Sequence, residues 1–259
     1  IFKSLPSTYS AVDRRLYDHK FGHAIRQSDN ITPISDQTKI DILEYYPSVA
    51  EEKIEVIYQA CDPLYYEQWD TAKADDLLNH LQLPEDFFLS VGSIIPRKNL
   101  INTVRAHALL PKSLQLPIIV IGGGDRYWKQ VVQTARRLGN FDHLIRLEVS
   151  DSRVLKALYM SATAVLYPSI YEGFGLPVAE AILCDTPVVT SHDSSLKEVG
   201  KMEVLVDPAE VDSIKAGMQE VLQRDKQAAY LSKEYISKLL NPQAVTTQLF
   251  ELYQKVGDQ

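Results

Sequence analysis

From about residue 86 onward, short apolar, β-rich runs alternate with longer segments whose apolar residues recur every three to four positions. FFLSV, IIVIG, HLIRLEV, AVLYPS, PVVTS and EVLVD read as strands, and the stretches between them read as helices. That is the βαβ rhythm of an α/β fold built on a doubly wound parallel sheet. Ser195 with Glu198 three residues on forms a capping box. Asp207, Pro208 and Glu210 supply a cap, a first-position proline and an early acid. Near the end, residues 241–257 (NPQAVTTQLFELYQKVG) place Val245, Leu249, Leu252, Tyr253 and Val256 on one side of an amphipathic helix.

Residues 1–83 lack this rhythm. SDQTKIDILEYY (35–46) is helical in spacing, whereas NITPI (30–34) and KIEVIY (53–58) are strand-like. Two strands alone make a marginal ribbon in water. They therefore read as the closing elements of a sheet that the chain does not contain.

The run YPSIYEGFGLPVAEA (167–181) concentrates the chemistry. Gly173, Phe174, Gly175 and Leu176 form a turn able to bring backbone N–H groups close to a ligand, because glycine has no side chain and tolerates positive φ. Pro177 suits a first helical residue, and a helix opening there would aim its unpaired N–H groups and positive dipole end at an anion. Glu172 precedes the turn and Glu180 falls in the expected first helical turn, so two carboxylates stand ready to accept bonds from hydroxyls. A sugar attached to a diphosphate would satisfy both halves of this arrangement. Cleaving such a bond leaves negative charge on the departing phosphate, which calls for fixed positive charge nearby. Arg97 and Lys98, in the loop after the first strand with Gly92 and Ser93, are the candidates.

On these residues the chain resembles glycosyltransferase family 4, retaining enzymes of GT-B fold that use nucleotide-sugar donors. Glu172 and Glu180, with seven residues between them, match the family signature, and FFLSVGSIIPRKNL, IIVIGGGDR, VLKALYMSATAVLYPS and TPVVTSHDSSLKEVG fall in the family's order over roughly residues 30–257. The resemblance implies a Rossmann-like carboxyl-terminal domain of GT-B type over residues 85–240, preceded by a linker at 61–84. Residues 1–60 are then the remnant of an otherwise absent amino-terminal Rossmann-like domain, and 241–259 a helix returning toward it. It further implies that Glu172 lies at the donor sugar beside the reacting carbon, that Glu180 grips the ribose hydroxyls, and that Arg97 and Lys98 contact the phosphates. Ser93 stands where many family members have an arginine after the loop glycine, which shifts phosphate contact onto Arg97 and Lys98.

The implied reaction is transfer of a hexose from a nucleoside diphosphate sugar to a glycan or lipid-linked acceptor. RKNL after VGSIIP is similar to members using GDP-mannose. Two other readings stand beside it: a nucleotide-sugar binding module that needs a separate acceptor domain for turnover, and a sugar-nucleotide epimerase of the same fold.

Composition narrows the setting. With 259 residues, 45% of them hydrophobic, the chain can bury a substantial core. A net charge of −7 opposes nucleic-acid partners. No apolar run approaches the roughly 18 residues of a membrane span. Residue 1 is Ile in a polar segment, so neither a signal peptide nor an initiator Met is visible and the start looks cut. Cys61 and Cys184 read as free thiols in a reducing compartment, making the cytoplasm the expected location. Peripheral association with the inner face of a membrane would then fall to the absent domain.

No two aspartates flank a single residue, and the six histidines (His19, His23, His80, His107, His143, His192) lack metal spacing and read as helix-face or loop residues. No metal or other cofactor is expected, the nucleotide sugar being a substrate. GGGDR (122–126) follows the second strand and lacks dinucleotide-fingerprint spacing, so it reads as a tight turn near the nucleotide. The backbone at Leu147 to Ser150 is a candidate edge for the base.

Overall fold

A computed structural model describes residues 1–224 and 226–257. Six strands form one parallel sheet: β1 (Phe88–Val91), β2 (Ile118–Ile121), β3 (Leu144–Leu147), β4 (Ala164–Tyr167), β5 (Val188–Ser191) and β6 (Val204–Val206). Their order is β3-β2-β1-β4-β5-β6. All six lie inside the runs read as strands. The helices are α1 (Ala11–Gln27), α2 (Asp36–Tyr45), α3 (Thr71–Leu78), α4 (Leu100–Ala108), α5 (Asp125–Leu138), α6 (Ser152–Ser161), α7 (Leu176–Leu183), α8 (Leu196–Val199), α9 (Val211–Val221), α10 (Lys226–Leu239) and α11 (Pro242–Gly257).

The strand runs are apolar at nearly every position because both sheet faces are covered. Leu89, Ile119 and Val165 point to one core, which they share with Leu78 of α3, Leu158 of α6, Ile182 of α7 and Ile236 of α10. Their neighbours Phe88, Ile118 and Leu166 point to the other, against Val104 of α4, Val131 of α5 and Ile214 of α9. Segment 61–84, expected as a linker, contributes Cys61, Tyr65, Ala74 and Leu78 to the first core and packs α3 on α6. Burial raises both cysteine thiols to a pKa of about 12, so each stays protonated at neutral pH.

Several local expectations are corrected. Segments 30–34 and 53–58 form only an isolated parallel bridge, Ile31 to Ile54. Pro33 lacks an N–H to extend the ladder, and among the described residues no third strand flanks the pair. Helix α1, absent from the sequence reading, is capped by Ser10 accepting from Asp13 N; of its described residues only Gly22 is buried. Its apolar positions are diluted by charged neighbours and carry little periodic signal. Helix α9 starts at Val211, because Asp207 instead accepts from Ala209 N in a turn ahead of the helix.

On α11, Val245 and Leu252 are buried against Ile57, with Leu249 and Val256 alongside. Tyr253 is 73% exposed, one residue out of register with that stripe. His107 lies on α4, in keeping with a helix-face residue, and on its buried face: its Nε2 is 2.8 Å from the Leu116 carbonyl, and burial pulls its pKa down to about 4.

Candidate functional site

The sheet order reverses between β1 and β4, which are neighbours although β2 and β3 intervene in sequence. A doubly wound sheet opens its ligand crevice at that switch point, beyond the carboxyl ends of the strands. The loops after β1 and β4 therefore meet there. Asn99, in the left-handed conformation (φ 62°), ties them together, its buried amide donating to the carbonyls of Pro168 (3.0 Å) and Pro208 (2.7 Å). Ile170 N donates to the Arg97 carbonyl at 2.9 Å, and Arg97 Nη1 donates to the Tyr171 carbonyl at 2.6 Å.

This stitching brings Glu172, Arg97 and Lys98 into one cluster in which the carboxylate is buried and both cations are half-buried. Glu172 is 7% exposed. Its Oε2 lies 2.5 Å from Arg97 Nη1 and its Oε1 2.8 Å from Lys98 Nζ. The Ser169 hydroxyl donates to Oε1 at 2.6 Å. Lys98 also contacts the Tyr167 hydroxyl, with Nζ 4.3 Å from that ring's centroid.

Burial pushes the Glu172 carboxyl upward, but Lys98 and Arg97 outweigh it and hold the group below the ordinary 4.5. Burial likewise lowers the Lys98 ammonium, with Glu172 opposing. Glu172 is thus a carboxylate at neutral pH. Its folded pKa is depressed, so its stabilisation is present above the unfolded value and is lost as pH falls through the folded one. Denaturant titrations of the parent and Glu172→Gln should therefore differ most at pH 7, with the gap narrowing below about pH 4.5.

The glycine turn is less uniform than the sequence suggests. Gly175 needs its residue type: its φ is +113°, and a Cβ there would sit 2.6 Å from Leu196 Cδ2. A Cβ on Gly173 would meet nothing within 4 Å. Phe174 is buried beside Tyr58, ring centroids 6.1 Å apart, and serves as an anchor for the turn. Helix α7 begins at Leu176, putting Pro177 second in it and Glu180 fifth, past the first turn. The dipole therefore does not account for Glu180. Its Oε2 accepts from the Tyr159 hydroxyl at 2.9 Å, and burial raises its pKa.

The end of β5 and the loop after it hold the cluster from behind, which sequence reasoning missed. Ser194 Oγ accepts from Glu172 N (3.1 Å), and Ser191 donates to the Ser169 carbonyl (2.6 Å). Ser195, read as half of a capping box, makes no cap bond; its hydroxyl turns to the carbonyls of Phe174 (2.8 Å) and Glu172 (3.0 Å). The repeated small hydroxyls of SHDSS were the available signal. Short polar side chains are free to bond distant backbone when tertiary partners are better placed than local ones.

Beside Gly92 lies a cavity of about 450 Å³ lined by Gly122, Gly123, Arg146, Glu148, Val149 and Ser150. Arg146 is tethered to Asp125 at 2.8 Å. The cavity lies between the turns after β2 and β3 and includes the stretch expected to edge a base. Among the described residues no cluster of three or more His, Cys, Asp or Glu could hold a metal ion, and no helix is long and apolar enough to cross a membrane.

Residues 79–237 match the family model for glycosyl transferases group 1. The chain belongs to that family. This group 1 chain is 33% identical over 225 residues to O-antigen chain mannosyltransferase B of Escherichia coli, covering 84% of the chain and 58% of the relative. It is 32% identical over 176 residues to O-antigen chain mannosyltransferase RfbU of Salmonella typhimurium, covering 68% and 46% respectively. The chain thus spans about half the length of these curated relatives. In fold, the group 1 chain superposes on Anabaena Alr3699/HepE, solved in complex with UDP and glucose, with a TM-score of 0.83 at 21% identity, covering 96% of this chain and 69% of that one. WaaG, a glycosyltransferase involved in lipopolysaccharide biosynthesis, gives a TM-score of 0.74 at 18% identity, covering 94% and 68%. The fold is the Rossmann-like, GT-B one expected.

Proposed function

We propose that the chain is the donor-binding, carboxyl-terminal half of a retaining glycosyltransferase of family 4, which moves mannose from GDP-mannose to a glycan or lipid-linked acceptor. The observation that carries the reading is the Glu172–Arg97–Lys98 cluster, with its carboxylate buried, at the sheet's switch point. Mannosyltransferases recur among the relatives, which supports the sugar.

In this reading a donor diphosphate competes with Glu172 for Arg97 and Lys98, assisted by the opening N–H groups of α7. The carboxylate so released turns to the hydroxyls of the sugar, and Glu180 holds the ribose. The base occupies the cavity at Val149 and Ser150. The bond from the anomeric carbon to the diphosphate breaks, the acceptor oxygen bonds that carbon on the same face, and the acceptor proton passes to the departing phosphate oxygen. Fixed side-chain charge stabilises the leaving group without a metal.

A thermal-shift panel of GDP, UDP and ADP with their sugar conjugates tests the reading. A ligand at 100 times its Kd adds about 2.7 kcal/mol of stability. GDP and GDP-mannose are expected to raise the midpoint most; a panel in which no nucleoside diphosphate does so overturns the reading. By calorimetry, Arg97→Ala or Lys98→Ala should weaken GDP-mannose about tenfold or more, since charge-assisted bonds contribute ~1.5–3 kcal/mol each. Unchanged affinity would remove both residues from the site.

A second reading has its own support. Because the chain spans 58% of its 33%-identical relative, the isolated chain binds the donor and turns nothing over until a further domain supplies the acceptor.

A further inference from the structure

The motif read as a capping box leaves Glu198 with a different partner. Glu198 reaches to the amino end of α2, accepting from Asp36 N with Oε2 (2.9 Å) and from Gln37 N with Oε1 (2.8 Å). The Tyr58 hydroxyl lies between, 2.9 Å from Asp36 Oδ2 and 3.2 Å from Glu198 Oε2. Helix α2 in turn faces the loop that carries Glu172. Ser35, Thr38 and Asp41 sit on one helical face by their spacing of three. The fully buried Ser35 hydroxyl accepts from Thr38 N at 3.1 Å and lies 3.0 Å from the Gly173 carbonyl, to which it donates. Thr38 Oγ1 is 3.3 Å from the same carbonyl, and the Tyr171 hydroxyl donates to Asp41.

Nothing at Gly173 itself fills space, since a Cβ there meets no atom within 4 Å. The exposed side of the loop tip is therefore held by hydrogen bonds to α2, while Ser194 and Ser195 hold its inner side.

We infer that Glu198, Ser35 and Thr38 form a clasp in which α2 sets the position of the Glu172 loop. A displacement of the amino-terminal segment is passed through the Gly173 carbonyl to the carboxylate beside the donor. These three are positioning residues that bond the Gly173 carbonyl or the α2 amides and not Arg97 or Lys98. Their role in turnover rests on the function proposed above; the clasp itself does not.

The test compares the parent with Glu198→Gln and with Ser35→Ala/Thr38→Val in the full-length protein. Gln offers one acceptor oxygen where two backbone N–H groups need one each. Amide hydrogen exchange over 171–176 should speed up by about fivefold or more in both variants, with the sheet unchanged. Misplacing a carboxylate by a fraction of an ångström should lower kcat about tenfold. Donor KM and GDP Kd should stay within about threefold, because Arg97 and Lys98 are carried by the loop after β1 and not by the loosened segment.

Unaltered exchange at 171–176 overturns the clasp whatever the activity. Parallel losses of kcat, GDP affinity and melting temperature would reduce it to fold maintenance and also overturn the inference. Should the parent bind no nucleoside diphosphate, the proposed function fails, and the exchange measurement still decides whether α2 holds the loop.

Discussion

Glu172→Gln is expected to lower glycosyl transfer by the full-length protein about 100-fold or more while leaving affinity for the free nucleoside diphosphate intact or a few-fold tighter. The two directions follow from one geometry. The carboxylate neutralises Arg97 at 2.5 Å and Lys98 at 2.8 Å. Removing its charge frees both cations for a diphosphate, which no longer has to displace an ion pair. The same change removes the charged acceptor assigned to the donor sugar, and losing one such preorganised group typically costs 10²–10³ in kcat, about 2.7–4 kcal/mol.

Glu172→Ala should behave differently. Like Gln it removes the counter-charge of Arg97 and Lys98, but it also leaves the Ser169 hydroxyl and both half-buried cations without an acceptor and opens space, a combination that destabilises by about 3 kcal/mol. Denaturant melts would register that loss, with Glu172→Gln much closer to the parent. Steady-state kinetics of Glu172→Gln decide the role: retention of most transfer activity would end it.

How much of this was legible beforehand depends on whether the deciding interaction is local. The six strands were readable because burial on both faces makes each run apolar along its length, as Phe88 and Leu89 illustrate by facing opposite cores. The acidic signature around Gly175 was readable because a helix start after a glycine turn is encoded within a few residues. That Arg97 meets Tyr171, 74 positions away, is a property of sheet order and no spacing in the chain contains it.

Misreadings share that origin. Ser195 and Glu198 carry a sound capping-box pattern, yet each has a better partner in another segment, the Phe174 carbonyl and the α2 amides. Glu180 was set one position too early, inside the first turn, because the helix begins at Leu176 and not at Pro177. Residues 30–34 and 53–58 were strand-like in composition, but composition cannot supply the neighbours that a ladder needs.

The second large effect is on stability, at a residue outside the acidic signature. Gly122→Ala should destabilise the chain by about 4 kcal/mol and lower its melting midpoint by roughly 8–16 °C. Gly122 follows β2 with φ +147°, where side chains are rarely accommodated, and a Cβ built on it lands 2.0 Å from the Gly92 carbonyl oxygen. The conformation alone costs about 1–3 kcal/mol. Forcing an atom into packed backbone adds about 1–3 kcal/mol more. No flexible side chain can swing aside there, so β1's loop must move, and that loop leads directly to Arg97 and Lys98. Nucleoside diphosphate affinity should therefore fall together with stability in this variant.

Gly123→Ala is the control, since its Cβ meets nothing within 4 Å and its φ lies outside the left-handed region. It should stay within about 0.5 kcal/mol of the parent. If Gly122→Ala melts within a couple of degrees of Gly123→Ala, the close approach of the two loops is not what holds this edge of the crevice, and the cavity beside Gly92 loses its support as the base site.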